Sequence, residues 1–276
     1  MILKSDLVSS RQNEAVKRLL SLDDKKGRDT ESVFVLDGIK LFEEAVKSGA
    51  EIDTVYISSE KEEQYLPFIT LALQGELYAT TRVIRLETSL FERISREKSP
   101  QGVITLVKYL DKIQNIIKIN KVTTFLNDGV SAQGILLLNG IQDPGNMGTI
   151  LRTADALEIP VGLLEGCADP YSHKVVRASM GAVFRTPVVQ TTWETARNRC
   201  ADAGISVAVT ALSDQAVDLR RAALGAMAVV IGSEGQGVRR EILEQADAQL
   251  IIPMNPRCES LNAAVAAAIV MWQMRQ

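Results

Sequence analysis

The sequence predicts an α/β protein in two parts, a parallel, doubly wound sheet in the second half preceded by a smaller α/β unit. Three observations predict it. Beyond residue 134, five short apolar runs alternate with helical patterns, as in strand–helix–strand units. Those runs are apolar throughout rather than at every second residue, as strands covered by helices on both faces are. Lysine, frequent up to Lys121, occurs after it only at Lys174, a composition shift that marks a boundary between two units. The boundary follows a strand-like stretch, Gly102 to Val107, giving a first domain at 1–110, a linker at 111–121 and a second domain at 122–276.

In the first domain, apolar residues at Ala15, Val16, Leu19, Leu20 and Leu22 give a helix over 13–22. Val33 to Leu36 reads as a strand, Ile39 to Ser48 as a helix and Thr54 to Ile57 as a strand. In the second domain, strands are expected at Ile135 to Leu138, Val161 to Leu164, Ile205 to Val209, Ala228 to Ile231 and Leu250 to Ile252. Helices are expected at 146–157, 193–203, 238–246 and 260–274, with Asn146 suited to cap the first and Ser260 the last. A doubly wound sheet binds ligands beyond the carboxyl ends of its strands, so the residues just after them are where chemistry is sought.

Composition removes several function classes. The 276 residues are 46% hydrophobic and 24% charged, those of an ordinary globular protein rather than a disordered or fibrous one. Charge arrives at Lys4 and Asp6, before any apolar run of signal-peptide length. The longest apolar run, Ala263 to Trp272, is 10 residues, where a bilayer needs about 20. A cytoplasmic protein without a membrane part is expected. Three scattered cysteines (Cys167, Cys200, Cys258) without Cys-x-x-Cys, and a single histidine, His173, argue against a disulfide framework and a multi-His metal site, so no metal is expected.

Three segments stand out after strands. In the first, Asp143-Pro144-Gly145-Asn146 leads into a helix carrying Arg152. Six residues at 3.6 per turn turn through about 240° modulo a full turn, so a common pocket needs Asn146 at the cap, where the backbone is leaving the helix. An ordinary turn and a helix with a surface arginine would read the same way. In the second, Ile231-Gly232-Ser233-Glu234-Gly235-Gln236-Gly237, three glycines permit close backbone approach and positive φ. The order is not the dinucleotide-binding Gly-x-Gly-x-x-Gly, and a flexible strand-to-helix turn is the plain alternative. In the third, Ile252-Pro253-Met254 runs to Glu259-Ser260-Leu261-Asn262 and an Ala/Val-rich helix that is apolar nearly all round. Such a helix must be covered on more than one side, by the core or by a subunit partner.

Together these segments resemble the three signature motifs of the SpoU/TrmH family of RNA ribose methyltransferases, within the SPOUT superfamily. Asp143 to Ala154 looks like the first motif, Ile231 to Gly237 the second and Ile252 to Asn262 the third. Asp169 to Ala182 is similar to the family's middle segment, and the resemblance covers 135–276. Ser9 to Leu22, with Ser10, Asn13 and Lys17, and Phe34 to Gly38 resemble the substrate-binding domain that many such enzymes carry, a ribosomal-protein-like RNA-binding fold. Asp37 stands where the pattern has Glu, and the stretch 111–132 is longer than the pattern.

The resemblance implies a trefoil-knotted parallel-sheet catalytic domain and a homodimer formed through the last helix, Ser260 to Met274. It implies S-adenosylmethionine bound in a bent form, with backbone contacts from Gly232, Ile252 and Leu261 and with Thr210 nearby. The implied reaction is in-line attack by a ribose 2′-hydroxyl of RNA on the sulfonium methyl group. Family descriptions give proton removal to Arg152, assisted by Asn146 and the partner subunit's Ser260, while Glu234 and Asn262 orient neighbours. A guanidinium with a pKa above about 12 is a poor base, so two other roles for Arg152 stay open: holding a phosphate and stabilising the developing alkoxide.

A net charge of −3 is awkward for an RNA enzyme. Local charge answers part of this. Arg11, Lys17, Arg18, Lys25, Lys26 and Arg28 form a basic arm interrupted by Asp23, Asp24 and Asp29, and Arg177, Arg185, Arg239 and Arg240 a second group. Arg11, Lys17, Arg18 and Arg28 are the RNA-binding candidates, with a solvated face as the competing reading. Ribosomal RNA is the expected substrate and transfer RNA the alternative. Two rivals are a non-catalytic RNA-binding or ribosome-assembly factor of the same fold, and a nucleotide-dependent enzyme using the Gly232 to Gly237 loop for phosphate.

Overall fold

The computed structural model describes residues 1–110, 134–224, 226–233 and 235–276; the expected linker at 111–121 and Glu234 lie outside the described residues. Contacts divide the described chain into two units, one made of Met1–Leu110 with Asp169–Phe184 and the other of the remainder.

The first unit runs β1 (Ile2–Val8), α1 (Glu14–Ser21), α2 (Lys25–Glu31), β2 (Val33–Asp37), α3 (Ile39–Lys47), β3 (Ile52–Ser58), α4 (Glu62–Ala72), β4 (Arg82–Leu86), α5 (Thr88–Ile94) and β5 (Val103–Lys108). Its sheet has the order β1-β4-β3-β5-β2. β1, β4 and β3 are parallel, and β5 is antiparallel to both β3 and β2. α1 begins where the Asn13 side chain accepts a hydrogen bond from the Ala15 N–H at 2.9 Å, satisfying one donor the helix end leaves over. Its Val16 and Leu19 join Tyr56, Leu86, Leu106 and Phe91 in one core cluster, and the Tyr56 hydroxyl donates to Ala15 O at 2.8 Å.

The run read as a basic arm is folded as part of a helical pair. α2 starts on Asp24, whose carboxylate accepts from the Gly27 N–H at 2.7 Å. The other acids of the run also have partners, Asp29 accepting from the Tyr109 hydroxyl at 2.8 Å and Asp23 from Arg96 Nε at 2.6 Å. Asp169–Phe184 joins this unit through aromatic and ionic contacts. The Tyr171 ring stacks on Phe34 and Tyr109, with centroids 4.6 and 4.2 Å apart, and its hydroxyl accepts from the Leu110 N–H at 2.9 Å.

The second unit contains β6 (Ile135–Leu138), α6 (Pro144–Leu157) and β7 (Val161–Leu163), then, after α7 (His173–Ser179) of the first unit, β8 (Val188–Gln190), α8 (Trp193–Asp202) and β9 (Val207–Thr210). β10 (Val217–Asp218), β11 (Ala228–Ile231), α9 (Arg240–Gln245), β12 (Ala248–Ile251) and α10 (Ala263–Met274) complete it. All seven strands are parallel, in the order β10-β12-β9-β11-β6-β7-β8. The chain leaves β6 toward β7 and β8, whereas from β11 it crosses to β12 on the far side of β9. Adjacent strands with connections running in opposite directions make a topological switch point, where such sheets open a crevice.

Two expected caps are displaced. Asp143 rather than Asn146 caps α6, accepting the Asn146 N–H at 2.7 Å, because Pro144 takes the first helical position, where its missing N–H costs nothing. Asn262 rather than Ser260 caps α10, its Oδ1 accepting from the N–H groups of Ala264 and Val265 at 3.0 and 3.3 Å. α10 packs on α6 and β11, burying Ala263, Ala264, Ala267, Val270, Met271 and Met274. Val265, Ile269 and Trp272, at helical spacing, stay 49, 38 and 61% exposed. No helix among the described residues is long and apolar enough to cross a membrane.

Candidate active site

At the carboxyl ends of β9, β11 and β12 the second unit encloses a cavity of about 680 Å³, within the range of roughly 300–1,000 Å³ usual for small-molecule sites. Thr210, the last residue of β9, and Ala211 to Ser213 after it line one side. Gly232 and Val238 bound the loop after β11, and Ile252, Met254 and Glu259 to Leu261 close the third side. The structure thus brings together Thr210, Gly232, Ile252, Ser260 and Leu261, which lie in three separate segments of the sequence.

The loop after β11 has a shape set by its backbone. A Cβ on Gly232 would sit 2.1 Å from Gly237 C and 2.2 Å from Val238 N, so no side chain fits there. Ser233 and Gly237 exchange two backbone hydrogen bonds of 2.9 and 3.1 Å, closing the loop on itself, and Gly237 takes φ +66° to do so. Gly232 is therefore needed for space and Gly237 for its dihedral.

Asn146 and Asn262 meet. Because the Asn262 Oδ1 is committed to capping α10, its Nδ2 is the group that turns outward, and it donates to Asn146 Oδ1 at 2.9 Å. Asn262 lies between Leu261 and Ala263, both in the cavity wall, so the cap of α10 ties the first turn of α6 to the edge of the cavity. Arg152 is not brought to this pair. Asn146 is inside the helix rather than at its cap, and six residues further along the two side chains diverge as the helical turn requires. Arg152 is exposed and makes no ion pair or hydrogen bond among the described residues.

The four RNA candidates separate. Arg11 is exposed, and Lys17, half exposed, pairs with Glu14 at 3.1 Å. Arg18 instead binds Glu31 Oε2 at 2.9 Å and Asp53 Oδ1 at 2.5 Å, and Arg82 reaches the same Asp53 oxygen at 3.1 Å. Burial pushes the Asp53 carboxyl up, but hydrogen bonds from Arg18, Thr54 and Arg82 and the Arg18 charge outweigh it and hold it at about 2. Arg28 is buried, with 7% of its side chain exposed, against Asp169 at 2.6 Å. Its Nη1 donates to the carbonyls of Leu22 and Asp23 at 2.8 and 2.9 Å. Arg18 and Arg28 thus spend their charge inside the protein.

Some cavity residues carry no motif. Ser213, after the end of β9, donates to Oε1 of Gln249, the second residue of β12, at 2.6 Å, and no spacing in the sequence points to the pair. The cap expected at Asn146 is instead Asp143, and the Asp-Pro pair that opens α6 is the signal that marks it.

The sequence profile of the SpoU rRNA methylase family matches residues 133–272, and that of the MRM3-like substrate binding domain residues 13–105. The chain is 30% identical to the 23S rRNA (guanosine(2553)-2′-O)-methyltransferase RlmP of Bacillus subtilis, over 97% of this chain and 98% of that one. The AdoMet-bound rRNA methyltransferase from Sinorhizobium meliloti has a similar structure, with a TM-score of 0.83 at 28% identity, covering 99% of this chain and 97% of that one. A protein of the TrmH family from Porphyromonas gingivalis gives a TM-score of 0.77 at 30% identity over 98 and 99% of the two chains. The chain belongs to the SpoU rRNA methylase family.

Proposed function

We propose that the protein transfers the methyl group of S-adenosylmethionine to a ribose 2′-hydroxyl of ribosomal RNA, in the cytoplasm and as a homodimer. The observation that carries this reading is the cavity at the strand ends, where Thr210, Gly232, Ile252 and Leu261 converge beside the Asn146–Asn262 pair. The residues present suit such a ligand. Ile231, Leu243, Leu250 and Met254 offer apolar surface, Thr210, Ser213 and Gln249 offer polar groups, and Glu259 offers a carboxylate to a cationic one.

Bound there, S-adenosylmethionine supplies an electrophilic methyl group on a sulfonium. The chain's part is to bind, position and exclude water. Backbone groups at Gly232, Ile252 and Leu261 hold the donor, and the Asn146–Asn262 pair fixes the rim against which the ribose is set. Holding two reactants in near-attack geometry lowers a barrier by roughly 7–11 kcal/mol, so positioning is the main contribution. Arg152, exposed and without an internal partner among the described residues, is left to hold an RNA phosphate or stabilise the developing alkoxide. The exposed apolar row Val265, Ile269 and Trp272 on α10 supports a second copy of the chain as its cover. The knot implied by the family resemblance belongs to the same reading. The 23S rRNA acted on by the Bacillus subtilis relative is the first RNA to test.

Titration of the purified protein with S-adenosylmethionine, NAD and ATP in separate calorimetric runs tests the cavity assignment. Saturable binding of S-adenosylmethionine alone is expected. Binding of NAD or ATP in its place would return the loop after β11 to a phosphate-binding role and reject methyl transfer.

A further inference from the structure

We propose that Asn139 is a positioning residue that clamps both ends of the loop after β11 and thereby sets the affinity of the cavity for S-adenosylmethionine. The proposal rests on the reading that this cavity takes that ligand. Asn139 directly follows β6, is 2% exposed and is not in the cavity wall. Its backbone N–H donates to Ile231 O at 2.8 Å, at the entry of the loop. Its side-chain Oδ1 accepts from the Arg239 N–H at 2.9 Å, at the exit.

One residue therefore holds the strand end where the loop leaves and the backbone where it returns. Between these two points, among the described residues, the loop's hydrogen bonds are those of the Ser233–Gly237 pair and of the Gln236 N–H to Ser233 Oγ, within the loop itself. At the exit Val238 is packed in the core beside Leu137 and Ile242, whereas the polar tie from Arg239 Nη2 to Glu165 Oε2 at 2.8 Å joins two side chains that are 43 and 44% exposed, and exposed pairs of this kind hold little, so Asn139 is the buried polar anchor there. The residue type follows from the task. A side chain of this length and shape carries an acceptor oxygen to that backbone N–H, whereas alanine leaves the N–H without one.

Loosening the exit leaves the loop free to sample arrangements that do not bind. Apparent affinity then falls by the fraction of molecules still in the binding arrangement, while the chemistry of the bound state is unchanged. Asn139→Ala in the full-length protein is expected to weaken S-adenosylmethionine binding about tenfold, the effect of one lost hydrogen bond to a part-buried donor. At saturating S-adenosylmethionine its kcat should stay within about twofold of the parent, an affinity-only effect. Asn139→Asp keeps the acceptor and should recover most of the lost affinity. A variant that merely folds less well but is still mostly folded at the assay temperature would keep the parent's dissociation constant and show only a lower unfolding midpoint.

The measurement is calorimetric titration of the parent, Asn139→Ala and Asn139→Asp with S-adenosylmethionine, alongside kcat and KM for methyl transfer. Equal dissociation constants for parent and Asn139→Ala would overturn the clamp, as would an aspartate variant no better than alanine. Should the alanine variant not fold, the aspartate variant binding within about threefold of the parent supports the clamp, and weaker binding overturns it. A parent that does not bind S-adenosylmethionine at all would reject the underlying cavity assignment instead.

Discussion

Gly232→Ala is expected to lose S-adenosylmethionine binding by at least about a hundredfold, more than 2.7 kcal/mol, while the protein remains folded. The added methyl would lie 2.1 Å from Gly237 C, 2.2 Å from Val238 N and 2.3 Å from Gly237 O. All three are backbone atoms, so no rotamer change relieves the clash. The loop must open, and opening it breaks the paired hydrogen bonds of 2.9 and 3.1 Å between Ser233 and Gly237. Gly232 lies one residue past the end of β11, so the strand pairing of Ala228 to Ile231 with Ile135 to Leu138 is untouched. The cost to folding is therefore that of local overpacking, about 1–3 kcal/mol, whereas the displaced backbone forms a wall of the cavity. Gly235→Ala, in the wall of the same cavity but with an added Cβ that meets no protein atom within 4 Å, separates the backbone clash from the mere addition of a methyl group. Calorimetric affinity and thermal midpoints for the two variants check this; binding by Gly232→Ala within threefold of the parent would contradict it.

Arg28→Met is expected to destabilise the first unit by about 3–5 kcal/mol, the usual effect of removing one partner of a buried ion pair. The replacement leaves the Asp169 carboxylate, 12% exposed, without its cation, and strips the carbonyls of Leu22 and Asp23 of a donor. A domain is stable by only about 5–15 kcal/mol, so the loss is a large share of the whole. The alternative, Arg28 as an RNA contact, makes the opposite forecast. Losing a phosphate contact reduces the salt slope of RNA binding by about one and leaves the unfolding midpoint alone. Denaturant unfolding of Arg28→Met and Arg28→Met/Asp169→Asn separates the two. The double variant should be more stable than the sum of single effects, because Asp169→Asn removes the stranded charge. An unchanged midpoint in Arg28→Met, with a shallower salt slope, would restore Arg28 to the RNA surface.

The strand-and-helix pattern of the second unit was legible because its strands are short, uninterrupted apolar runs and its glycines sit just after them. Ala228 to Ile231 is the clearest case, an apolar run fully buried in mid-sheet and followed at once by the glycine whose lack of Cβ the loop needs. Spacing alone misplaced the caps. Asn146 and Ser260 are both good capping types, but Asp143 precedes a proline at the first helical position, and Asn262 stands closer to the alanine run than Ser260. The moved caps bring the first turn of α6 and the start of α10 together through Asn146 and Asn262, a contact between residues 116 apart that local pattern does not encode.

Two of the basic residues near the amino end, Arg18 and Arg28, have internal partners that the sequence did not show, for a related reason. Asp24 to Glu31 has the composition of a solvated charged face, yet the acids among its cations include a helix cap and a tyrosine partner, and the cation at Arg28 is neutralised by Asp169, 141 residues later. A count of charges along the chain cannot tell a phosphate-binding arginine from one whose carboxylate arrives from a distant segment. Asn139 was invisible for the same reason. Nothing in its neighbourhood of sequence announces that it meets Arg239, one hundred residues away.

The most direct test is methyl transfer itself. Purified protein and its Arg152→Ala variant would be incubated with methyl-labelled S-adenosylmethionine and total RNA from a strain lacking the gene, with intact ribosomal subunits in parallel. Labelled positions would then be mapped by ribose-methylation sequencing. Label is expected on the 2′-oxygen of a ribosomal RNA nucleotide, lost in Arg152→Ala although that variant still binds S-adenosylmethionine. Bound S-adenosylmethionine with no label on any RNA, or label on a base rather than a ribose, would contradict this expectation.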